Sequence, residues 1–212
     1  MTEKPHKFFE QYLDNDLDEL SDELNKRYDI IKNKNKTSPK DYWLSSNSIS
    51  TIKWRDYNVF QFHITGIRNL YAEISNMTKK ACEYYEIDFA KQDYFVQGWF
   101  NINTANKGKL DWHDHGPRNQ NLFHGYYCVN AEPSITHYDI DGVIVENINK
   151  NNRLVMSGMG YPHSMADWEW DGPRITVAYD ILPLKHLQEN AMNQEQHWTP
   201  LCYKYIYFLN NI

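Results

Sequence analysis

Cysteine is scarce in this 212-residue chain: Cys82, Cys128 and Cys202 stand far apart, with no C-x-x-C pair. Neither a disulfide framework nor a thiolate zinc site follows, and the thiols read as small buried apolar side chains. Long apolar runs are missing too. The longest, over 140–145 and 175–182, fall well below the roughly 20 residues that a membrane span needs. The opening Met1-Thr2-Glu3-Lys4 has no apolar signal-peptide core, so the expected location is the cytoplasm, without a membrane partner. A basic surplus is also lacking, since 22 Lys and Arg stand against 28 Asp and Glu, a net charge of −6. Nucleic acid, whose phosphates attract clustered Lys and Arg, is therefore a disfavoured partner. There is no internal repeat or low-complexity segment.

Aromatic residues, by contrast, are plentiful: 16 Tyr, 9 Phe and 7 Trp make up 15% of the chain, a composition suited to strands. The length fits a single domain able to bury a core and carry a pocket. Apolar residues at Phe9, Leu13, Leu17, Leu20, Leu24, Tyr28 and Ile31 advance in steps of three or four, which predicts an amphipathic helix over 9–31, in one or two pieces. A polar loop is expected at 32–40. Ile67, Leu70, Ile74, Met77, Ala81 and Tyr84 predict a second helix. After Asp93 the period drops to two. Strands are predicted at 94–103, 123–130, 136–140, 143–147, 153–157 and 175–181, with turns at Asp141-Gly142 and Asp171-Gly172. Within the first strand, Trp99 and Asn101 share the face opposite Val96, Phe100 and Ile102. The expected fold is mainly β: a jelly-roll core over 93–183, a mostly helical scaffold over 1–92 that buttresses it, and a C-terminal extension over 184–212.

Chemistry concentrates in Trp112-His113-Asp114-His115-Gly116 and in Tyr161-Pro162-His163. On an extended segment His113 and His115 point to one face, where both can grip one ion, and imidazole suits Fe, Zn, Cu and Ni. Asp114, between them, would point away. The block from Gly172-Pro173-Arg174 to Tyr179-Asp180 adds an Arg-x-Thr pair on a strand, with Arg174 and Thr176 facing the same side.

Together these parts resemble the 2-oxoglutarate/Fe(II)-dependent oxygenases, in particular an uncharacterised bacterial and phage branch. The shared pattern is Trp99 and Asn101, Gly108 with His113 and His115, Gly125 with Tyr126 and Tyr127, then His163 with Arg174 and Thr176. It covers about 94–183. The resemblance implies a double-stranded β-helix, another name for this jelly roll, with iron held by His113, His115 and His163. It also implies 2-oxoglutarate as co-substrate, with its distal carboxylate on the Arg174 fork and the Thr176 hydroxyl. Tyr127 is expected to add a phenol hydrogen bond and Asn101 a pocket-side amide. The implied reaction consumes 2-oxoglutarate and O₂, releases succinate and CO₂, and hydroxylates an unactivated C–H bond of a small-molecule or peptide substrate.

One position departs from the family. A carboxylate usually stands two residues after the first His, and here that residue is His115. Three arrangements stay open: all three histidines bind, His115 only supports the other two, or a bulge brings in Asp114. His124 has opposite parity to Tyr127 and is expected to face away from the metal. His137 reads as a strand-surface residue. Trp168 and Trp170 suit either packing or a substrate lid. Two other classes compete: a cupin-like metalloenzyme without 2-oxoglutarate, and a non-catalytic jelly-roll binding module. The helical N-terminus and the aromatic tail over 203–208 offer surface for a homodimer.

Overall fold

The computed structural model describes residues 4–34, 48–51, 57–103, 110–115, 123–158, 160–166, 168, 170–186 and 199–201. Two antiparallel sheets face one another. The larger joins β1 (Phe8–Tyr12), β8 (Arg153–Gly158), β5 (Phe123–Asn130), β10 (Arg174–Pro183), β3 (Tyr94–Asn103) and β11 (Thr199–Leu201) in that order, with β2 (Ser48–Ser50) also on β3. The smaller runs β4 (Leu110–His113), β9 (His163–Met165), β6 (Ile135–Ile140) and β7 (Val143–Ile148). This is the expected jelly roll.

Helices α1 (Leu17–Lys34) and α2 (Thr65–Tyr84) cover the outer face of the larger sheet. Leu20 and Leu24 from α1, and Ile67, Leu70 and Ile74 from α2, meet Phe100, Tyr127, Ile175, Val177 and Tyr179 in one continuous core. Each such side chain taken from water contributes roughly 1.5–3 kcal/mol to holding the helices on the sheet. The inner face is lined by Trp99, Tyr126, Cys128, Val155 and Ala178, which pack with Tyr138 of the smaller sheet. Successive residues of β5 and β10 thus enter different cores.

The turn at 141–142 forms as predicted. Asp141 and Gly142 both have positive φ (55° and 86°), the geometry of a two-residue hairpin, and the Gly142 N–H donates to Asp139 Oδ1 at 2.7 Å. The N-terminal helix, however, starts later than its periodicity predicts. Residues 8–12 form β1, paired with β8 from Phe8↔Ser157 to Tyr12↔Arg153, which covers the free edge of β8. Phe8 turns inward against Tyr138 while Phe9 joins the helix-side core, an alternation no helix could provide. The helix begins where Asp16 caps it, its Oδ1 accepting from the Glu19 N–H at 3.0 Å. The expected loop at 32–40 is partly helix, since α1 continues to Lys34; the rest of that stretch and the tail over 203–208 lie outside the described residues.

Candidate metal centre

His113 ends β4 and His163 begins β9, directly opposite one another in the strand pairing, with ring centroids 4.3 Å apart. His115 follows two residues later, its ring 5.2 Å from His113 and 5.0 Å from His163. One ligand nitrogen from each of the three lies within 4.8 Å of the others, the span of a single ion's coordination sphere. The irregularity in the β4–β9 pairing falls between Leu110 and His113, and Asp114 remains exposed. The geometry therefore brings His115, rather than Asp114, up to His113 and His163.

A fourth imidazole is present. His124 of β5 stands 4.0 Å from His115 and 4.4 Å from His163, ring centre to ring centre. The expectation that it faces away is wrong, and so is the placement of Tyr127. Tyr127 lies in the helix-side core, its hydroxyl donating to Asn152 Oδ1 and accepting from Asn15 Nδ2 at 3.1 Å. Its neighbour Tyr126 takes the inner face. The alternation expected along β5 holds but its two faces are exchanged, because both sides of this central strand are buried. The usable signal was Asp180, an acid inside an apolar strand and in phase with Arg174 and Thr176. It pairs directly with His124.

All four rings are held by the same nitrogen. His113 Nδ1 meets the Asp111 carbonyl at 2.9 Å and His163 Nδ1 the Tyr161 carbonyl at 3.1 Å. His115 and His124 place Nδ1 at 2.8 Å and 2.9 Å from the two oxygens of Asp180. Carbonyl and carboxylate oxygens only accept, so each Nδ1 carries a proton and, in the neutral ring, each Nε2 keeps its lone pair. Burial, followed by repulsion from the neighbouring histidines, pushes His163 well below its ordinary value and His124 down to about 4, and lowers His113 as well. Burial alone would raise Asp180. The attraction of His115 and the hydrogen bonds from both rings outweigh it and hold the carboxyl well below the usual range. Among the described residues His115 Nε2 is buried with no hydrogen-bond partner, a state costing about 1–3 kcal/mol unless something binds there. Neutral imidazoles with fixed Nδ1 protons and a buried free lone pair are the donor set that a divalent first-row metal requires.

Arg174, Thr176, Ala178 and Asp180 share the inner face of β10. Arg174 is 4% exposed, and its Nε donates to Ser134 Oγ at 2.9 Å. Among the described residues no carboxylate pairs with it, and burial lowers its pKa. The Tyr138 hydroxyl is also buried without a partner among the described residues. Asn101 sits across from Thr176, its amide 3.5 Å from the Thr176 hydroxyl. Trp99 stacks on His115, with centroids 5.6 Å apart and planes at 13°. Trp168 is packing rather than lid: it is buried, and its indole N–H donates to the Gly172 carbonyl. Trp170 beside it is exposed. His137 lies on the strand surface near Glu146, as expected.

No protein-family profile and no curated protein matches the chain. Solved structures do. A prolyl-4-hydroxylase from Pseudomonas putida superposes with a TM-score of 0.58 at 12% identity, over 84% of this chain and 93% of that one. A Trichoplax adhaerens prolyl hydroxylase, bound to a peptide of the hypoxia inducible factor oxygen degradation domain, gives 0.60 at 10% identity, over 90% and 87%. The chain has the jelly-roll fold of these hydroxylases. The non-heme alpha ketoglutarate dependent epimerase SnoN from nogalamycin biosynthesis also shares it, with a TM-score of 0.54 at 11% identity, over 82% and 76%. One fold thus carries hydroxylation and epimerisation, and the chemistry of this chain has to be argued from its own residues.

Proposed function

We propose that this chain is a 2-oxoglutarate- and Fe(II)-dependent oxygenase that hydroxylates an unactivated C–H bond of a small-molecule or peptide substrate. The observation that carries the reading is Arg174, a buried guanidinium with no acidic partner among the described residues, on the same strand face as the carboxylate that holds two of the histidines. A buried charge left unpaired is costly, and a dicarboxylic co-substrate would relieve that cost with a bidentate contact. His113, His115 and His163 would hold the iron. Iron with bound 2-oxoglutarate and O₂ supplies the oxidising power, consuming the keto acid to succinate and CO₂ as the substrate C–H becomes C–OH.

The remaining roles belong to the chain's own groups. Thr176 adds a hydroxyl beside Arg174, and Asn101 orients that hydroxyl through its amide. Tyr126, on the inner face, and Tyr138, whose hydroxyl has no partner among the described residues, take the part expected of Tyr127. Trp99 walls off His115 and keeps water from that side. A peptide substrate draws support from the peptide-bound relative of the same fold. A reducing compartment such as the cytoplasm suits Fe(II) and the free thiols Cys82 and Cys128. Among the described residues no helix is long and apolar enough to cross a membrane.

The test is anaerobic addition of Fe(II) and 2-oxoglutarate, followed by O₂. A weak visible charge-transfer band of the chelated keto acid, then succinate release, is the expected result. Iron binding without that band would favour the cupin-like class, and no iron binding would end the reading.

A further inference from the structure

Five groups meet at this centre, and the iron reading uses three of them. The other two are His124 and Asp180. Each oxygen of Asp180 engages a different ring: Oδ2 takes His115 Nδ1 at 2.8 Å and Oδ1 takes His124 Nδ1 at 2.9 Å. All three side chains are deeply buried, at 14%, 9% and 5% exposure for Asp180, His115 and His124. Asp180 lies mid-sheet, opposite His124 on one side and Gln97 on the other. Among the described residues no Lys or Arg pairs with it. Its charge is therefore answered by two imidazole N–H groups, one of them on a candidate ligand.

A carboxylate accepting from Nδ1 makes the opposite nitrogen more basic and a stronger metal donor, and it fixes the ring's orientation. His115 occupies the position where the resembling oxygenases carry an anionic ligand. We propose that Asp180 is a positioning residue that supplies the metal centre's negative charge through His115, one ring further out than a carboxylate ligand would. His124 is the second arm of the clamp. It holds the free oxygen of Asp180 so that the carboxylate cannot rotate away from His115. The ligand atoms of His115, His124 and Asp180 form a second group within 4.8 Å of one another, apart from that of His113, His115 and His163, and His124 Nδ1 is engaged by Asp180 Oδ1.

This inference rests on the metal-site reading above, and Co(II) titration of the full chain separates the two. Native protein should bind Co(II) with visible d–d bands. Asp180→Asn, nearly isosteric, should weaken binding by roughly 10–100-fold and shift those bands. Adding His115→Asp to Asp180→Asn returns the charge to the ligand position, so the double variant should bind more tightly than Asp180→Asn alone. A purely structural Asp180 would instead make the two losses accumulate. Without any variant, ¹⁵N-histidine spectra of the native chain should show Nδ1-protonated rings at His115 and His124. Native protein that binds no Co(II) removes the metal reading and this inference together. Native binding combined with an indifferent Asp180→Asn, with a double variant weaker than Asp180→Asn, or with an Nε2-protonated His115 overturns the inference alone.

Discussion

Replacing Arg174 with methionine should have opposite effects on the empty and the co-substrate-loaded protein. The guanidinium is 4% exposed, has one hydrogen bond, to Ser134, and pairs with no acid among the described residues. Methionine of similar volume forfeits that bond, about 1 kcal/mol, but removes a buried charge whose desolvation penalty is on the order of several kcal/mol. The empty variant should therefore melt at or above the native temperature. Its affinity for 2-oxoglutarate should collapse, because two charge-assisted hydrogen bonds at about 1.5–3 kcal/mol each are lost, a hundredfold or more. Thermal melting of the Fe(II)- or Co(II)-loaded protein reads both effects. At 100 times its Kd, 2-oxoglutarate stabilises the native chain by about 2.7 kcal/mol, roughly 5–11 °C for a domain of this size, and Arg174→Met should show almost none of that rise. A variant that melts several degrees lower when empty and keeps the ligand-induced rise would show that Arg174 is a structural residue, and the co-substrate argument would fall with it.

The exchange of faces on β5 can be checked with two conservative variants. Tyr127→Phe should cost about 1 kcal/mol in denaturant unfolding while leaving 2-oxoglutarate affinity intact, and Tyr126→Phe should do the reverse, because Tyr127 spends its hydroxyl on Asn15 and Asn152 in the helix-side core whereas Tyr126 lines the inner face. Gly125→Ala should be destabilising by 1–3 kcal/mol or more in the same assay, because the new Cβ would lie 2.3 Å from both the Val155 carbonyl oxygen and the Tyr179 hydroxyl. Burial pushes the thiols of Cys82 and Cys128 up to about 11 and about 12, so both stay protonated at pH 8. Peptide mapping after native alkylation at that pH should find both unmodified, and labelling should appear only on unfolding.

How much of this was legible follows from what each pattern could encode. Helix α2 and the turn at 141–142 were readable because one has an apolar stripe along five turns and the other a turn-specific dipeptide. The strand at 8–12 was not, because Phe9, Leu13 and Leu17 happen to continue the helical spacing of α1, and five residues of edge strand carry too few positions to contradict it. His113, His163 and Arg174 could be picked out because their side chains are chemically distinctive. The roles of Tyr126 and Tyr127 could not be separated, since alternation tells which residues share a face and says nothing about which face lies inward when both are buried. Asp180 is the instructive omission: a lone acid between Tyr179 and Ile181, in phase with Arg174, marks the polar side of β10 without any structure.

Along β10 two sets of structural demands are interleaved on one backbone. Ile175, Val177, Tyr179 and Ile181 pack in the helix-side core, while Arg174, Thr176, Ala178 and Asp180 face the proposed centre. Neighbouring codons in this stretch should therefore drift under unrelated constraints. Scanning positions 174–181 with every substitution should give cellular abundance and turnover as two alternating combs, offset by a single residue.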